Sequence, residues 1–214
     1  MDKENTWDKL LQIKTTGRDE TNADEYHHPY EPTPYSVLER LANSGFFGIN
    51  DVVLDYGCGK GRVGFFLSYR TKTNTIGIEY DDRIYKCALE NRKSTVSKIK
   101  PDFVLTRAEE YEVPQSVNRC YFFNPFSVEI LHKVMARIIE SWYENPREVL
   151  LFFYYPADDF LAYLMTVDEL DNERWRGACF TKPLSIIYPV LSSYFPTDQV
   201  RFCPLCALWH HSEP

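Results

Sequence analysis

The sequence has no apolar run near the roughly 20 residues that a bilayer-spanning helix requires, which argues against a helical membrane protein. Its opening, Met1-Asp-Lys-Glu-Asn-Thr, lacks a signal-peptide pattern, so the expectation is a cytoplasmic protein. It also lacks a basic surplus. The 24 Lys and Arg residues against 31 Asp and Glu give a net charge of −7 and a pI near 5.3, which disfavours a sequence-independent grip on a phosphate backbone. Arg92, Lys93, Lys98 and Lys100 cluster without interleaved aromatics and read as a solvated face. No internal repeat or low-complexity tract occurs. Six cysteines in dissimilar contexts favour free thiols over a disulfide framework. Cys203 and Cys206, followed by His210 and His211, have the spacing of half a zinc site, but a second cysteine pair is missing, so no metal is expected. His27 and His28, like His210 and His211, read as exposed polar residues. Glycine is scarce too: of nine in 214 residues, four fall between positions 57 and 64.

The remainder is ordinary globular composition, 44% hydrophobic and 26% charged, with a high 15% of aromatics. The length suits one α/β domain over residues 31–214, preceded by an arm or lid at 1–30. Three prolines in residues 27–35 force an extended path before a helix that carries Val37, Leu38 and Leu41 on its apolar side. Short apolar runs at 52–54, 74–79, 102–105, 119–123 and 148–155 read as strands. Helical spacings lie between them, over 62–67, 82–94 and 128–143. Such alternation predicts a doubly wound, mostly parallel sheet with helices on both faces. A short helix at 160–165 and further apolar pieces at 179–180 and 185–190 are expected to complete it.

In such a sheet a ligand lies beyond the carboxyl ends of the strands. Asp55-Tyr-Gly57-Cys58-Gly59-Lys-Gly61 follows the first run, and its glycines let the backbone take positive φ and approach a ligand closely. Glu79 closes the second run, 22 residues after Gly57, where a carboxylate can accept both ribose hydroxyls. Arg107-Ala108-Glu109 follows the third run and Asn124-Pro125-Phe126-Ser127 the fourth. A dinucleotide frame, G-x-G-x-x-G, fits from Gly59 through Gly61 to Gly64, but it starts later than a tight turn after the strand requires. It also leaves Asp55 and Gly57 without a role.

These residues resemble the class I S-adenosylmethionine-dependent methyltransferases, whose loop reads acidic-x-G-x-G-x-G and whose second strand ends in an acidic residue. The resemblance spans residues 30–155 and implies a seven-stranded Rossmann-like methyltransferase sheet with S-adenosyl-L-methionine as cofactor. It assigns the methionine part to Asp55, Gly57, Cys58, Gly59 and Gly61, and the ribose to Glu79 with Tyr80 beside it. Ala108 and Glu109 take the adenine edge. Tyr35 is similar to aromatic positions that cover the cofactor in some members. Asn124, Pro125 and Phe126 resemble the Asn-Pro-Pro-aromatic motif of enzymes that methylate planar amines, with Asn124 also beside the methyl group. The implied reaction is methyl transfer to an unidentified acceptor, a nitrogen of a protein or small molecule favoured over nucleic acid, with no membrane partner. An RNA or DNA methyltransferase, an NAD-dependent oxidoreductase and a non-catalytic cofactor-binding module are the alternatives.

Overall fold

A computed structural model describes residues 3–170 and the backbone at 186, 187, 190 and 191. Five strands run parallel: β1 (Val52–Tyr56), β2 (Asn74–Glu79), β3 (Asp102–Leu105), β4 (Arg119–Phe122) and β5 (Val149–Tyr154). Helices α1 (Lys3–Leu11) and α2 (Tyr35–Asn43) precede the sheet. The crossovers carry α3 (Arg62–Thr71), α4 (Asp82–Ser94) and α5 (Val128–Glu144), and α6 (Asp158–Leu164) follows β5. The strand order β3-β2-β1-β4-β5 places the reversal of winding between β1 and β4, where an open α/β sheet forms its ligand crevice.

The sheet's far edge departs from the parallel run. β6 (Ile186–Ile187) and β7 (Val190–Leu191) both pair with β5, antiparallel and in a single register. Among the described residues there are therefore five parallel strands and one antiparallel edge position shared by two short pieces. The cysteine pair 203 and 206, with His210 and His211, lies outside the described residues, as do residues 179–180.

Alternation along each strand feeds two cores. Leu54, Cys120, Phe122 and Phe153 pack with Ile130, Leu131, Val134 and Ile138 of α5 on one face. Val53, Tyr121 and Phe152 meet Phe65 and Phe66 of α3, Leu38 of α2 and Leu11 of α1 on the other. Tyr56, Phe122 and Phe153 stack nearly parallel across β1, β4 and β5, with centroids 4.7 and 4.5 Å apart, so part of the aromatic surplus serves the core.

Residues 3–34 pack onto this domain through a buried polar network. Asp8 is only 6% exposed and accepts from the Thr15 amide, the Thr15 hydroxyl and the Tyr35 hydroxyl, each at 2.6 Å. Arg62, 2% exposed at the start of α3, donates to Thr15 Oγ1, Glu4 and the Thr33 carbonyl, and lies over the Tyr35 ring. A guanidinium removed from water in this way needs its carboxylate and carbonyl partners to stay in place.

Candidate active site at the carboxyl ends of β1, β2 and β4

β1 ends at Tyr56, where the backbone turns through glycines that can take conformations other residues rarely adopt. Gly57, Gly59 and Gly61 all take left-handed φ values, of +69, +58 and +85°. A Cβ on Gly57 would lie 2.6 Å from Pro125 Cβ, and one on Gly59 would lie 2.3 Å from the Tyr30 ring. Both positions therefore need glycine for conformation and for space. Gly61 then caps α3 and rests against Phe103.

Asp55 and Glu79 close adjacent strands. Asp55 is 3% exposed and its Oδ2 has no hydrogen-bond partner. Burial, with Glu79 as the second cause, pushes its carboxyl up to about 8. Glu79 accepts from the Gly59 amide at 3.0 Å through Oε2, and from the Tyr80 and Asp81 amides at 2.9 Å through Oε1. Burial raises its carboxyl above the usual range while those amides oppose the shift. The cleft they line also takes in Gly57, Cys58, Tyr80, Ala108, Glu109, Pro125 and Phe126. Burial is the main cause that pushes the Cys58 thiol well above its ordinary value.

The other expected residues stand apart from the cleft lining. Gly59 and Gly61 shape the loop from behind, the first by its bond to Glu79. Tyr35 is fully buried at the start of α2, where its ring stacks on Trp7 and its hydroxyl bonds Asp8. The aromatic residue on the glycine loop is instead Tyr30, whose hydroxyl donates to the Thr15 carbonyl at 2.5 Å. Asn124 has φ +40°, a strained left-handed backbone between two lining residues, Phe123 and Pro125. Its Oδ1 is buried without a donor, as is Glu109 Oε2. Orphaned acceptors at Asp55 and Glu109, both in the cleft lining, make this a site that a donor-bearing ligand completes.

Residues 19–33 cross the cleft as a strap, and they are what the sequence did not reveal. On one rim, the Tyr80 hydroxyl donates to the Asn22 carbonyl and Asn22 Nδ2 to Asp81. His27 is 8% exposed, contrary to the exposed placement expected for it, because its ring stacks on Tyr80 at 4.2 Å and its Nδ1 meets Asp24. On the other rim, His28 bonds the Asn124 carbonyl through Nδ1 at 2.8 Å and donates its amide to the Pro125 carbonyl at 3.2 Å. The Ser127 amide donates to the Tyr26 carbonyl. The only sequence signal was composition: two histidines and two tyrosines set beside Pro29 and Pro32, where backbone groups lack helical partners.

An open parallel sheet with its winding reversed beside a glycine loop, and an acidic residue near the carboxyl end of each adjoining strand, is a Rossmann-like α/β arrangement with a ligand crevice at the switch point. Neither a family model nor a curated protein matches the chain. Solved structures do. The chain is similar to an RNA methyltransferase from Salinibacter ruber in complex with S-adenosyl-L-homocysteine, at 18% identity and a TM-score of 0.53, over 80% of this chain and 100% of that one. It is similar to a TehB-like SAM-dependent methyltransferase from Corynebacterium glutamicum, at 17% identity and a TM-score of 0.51, over 76% and 89% of the two chains. It also resembles magnesium protoporphyrin IX methyltransferase from Synechocystis with bound SAM, at 14% identity and a TM-score of 0.50, over 74% and 77%.

Proposed function

We propose that this chain binds S-adenosyl-L-methionine in the cleft and transfers its methyl group to a nitrogen of a protein or small molecule. The observation that carries the reading is the buried, unpartnered Asp55 carboxyl beside glycines whose positive φ and close neighbours leave no room for a side chain. A ligand with a cationic amine satisfies Asp55, and hydroxyls can share the remaining lone pairs of Glu79. Tyr80 offers a ring face and Glu109 a free acceptor for an exocyclic amine. The fold shared with proteins solved with SAM or its demethylated product supports the same cofactor.

When bound, the cofactor supplies an activated methyl on a sulfonium. The chain supplies alignment and exclusion of water: Pro125 and Phe126 wall the cleft, and Asn124, next to Pro125, would accept from an N–H through its buried, unpartnered Oδ1. The net charge of −7 favours a protein or small-molecule acceptor over nucleic acid, although one similar structure is an RNA methyltransferase. Incubation with methyl-labelled cofactor and fractionated lysate tests this reading. Label in protein or small-molecule fractions supports it, and label confined to RNA overturns the acceptor assignment.

A further inference from the structure

His28 belongs to the strap, yet both of its hydrogen bonds among the described residues are with the loop that follows β4. Its amide donates to the Pro125 carbonyl at 3.2 Å, and its Nδ1 lies 2.8 Å from the Asn124 carbonyl oxygen. A carbonyl can only accept, so Nδ1 carries a hydrogen in either charge state of the ring. In the neutral ring Nε2 is then a bare lone pair. His28 lines the cleft together with Pro125 and Phe126, and no hydrogen bond to Nε2 occurs among the described residues. The bond that fixes the tautomer comes from the residue whose own side-chain oxygen is buried and unpartnered.

The geometry points to His28 Nε2 as the base that takes the acceptor's proton, an assignment that rests on the methyl-transfer reading above. The acceptor's lone pair forms the new N–C bond, and the C–S bond breaks with its electron pair going to sulfur. The N–H proton passes to Nε2 and then from the imidazolium to solvent. Orientation of a base by a bond to its other nitrogen is the arrangement general-base histidines require. The Pro125 and Asn124 carbonyls already accept from His28, which leaves Nε2 as the open acceptor that this residue brings to the cleft beside Pro125 and Phe126.

His28→Asn tests this, because the shorter amide keeps a donor near the Nδ1 position and has no base. Transfer from methyl-labelled S-adenosylmethionine to lysate components is expected to fall about a hundred-fold or more. Calorimetric affinity for S-adenosyl-L-homocysteine stays that of the wild type. His28→Ala is expected to regain transfer when imidazole is added. Nitrogen-15 NMR of the wild-type protein should show a protonated Nδ1 and a bare Nε2 in the neutral ring. Wild-type transfer by His28→Asn, or a proton on Nε2, overturns the base assignment and leaves the cofactor reading intact. No binding of S-adenosyl-L-homocysteine by the wild-type protein overturns the cofactor reading and the base assignment with it.

Discussion

Asp55 holds its proton in the folded chain over a pH range where the unfolded chain has lost it, since its carboxyl is raised from 3.8 to about 8 by burial. The native state therefore binds more protons than the unfolded state between those values, and stability falls as pH rises from about 4 to about 8. In the ligand-free protein the expected loss is on the order of a few kcal/mol, read from urea unfolding across that range, and Asp55→Asn should flatten it. A cationic amine placed against Asp55 favours its ionised form, so binding below about pH 8 should release a proton. Calorimetry in two buffers of different ionisation enthalpy measures that release. Its disappearance in Asp55→Asn is expected, and proton uptake by the wild-type protein would contradict the placement of the amine.

Two elements set the site, and they differ in how much of them a sequence shows. The loop from Asp55 to Gly61 was legible because its causes are local: a strand ending, glycines at alternate positions and a helix beginning. Gly57→Ala should cost about 1–3 kcal/mol in chemical denaturation, from a left-handed backbone and contact with Pro125, and should remove cofactor binding. The strap was not legible, since its meaning lies in partners far along the chain. His28 meets a carbonyl 96 residues away. The sequence pointed to Tyr35 as the cover residue, but α2 starts at Tyr35 and turns that ring into the core, and Tyr30 lies on the loop instead. Arg62 has no role in the sequence pattern, whereas in the fold it anchors Glu4, Thr15 and Thr33. Arg62→Met should cost about 3–5 kcal/mol because it strands buried Asp8 and its neighbours. Faster amide exchange across residues 3–34 than across β1 and β4 would report the same loss, and uniform exchange rates would contradict it.

At the scale of the whole molecule, the chain is one sheet whose winding reverses between β1 and β4, with the acidic strand ends and the loop after β4 brought to one crevice. The alternation of strands and helices carried that much in advance. The far edge did not follow from it, because two-residue strands such as β6 and β7 are set by pairing with β5 rather than by their own pattern. The central claim is that this crevice takes S-adenosylmethionine or its product, and titration calorimetry with S-adenosyl-L-homocysteine tests it most directly. The account predicts saturable one-to-one binding, weakened about ten-fold or more, or about 1.4 kcal/mol, in both Asp55→Ala and Glu79→Ala. Absence of binding at high micromolar ligand, or equal affinity in the wild-type protein and both variants, would contradict it.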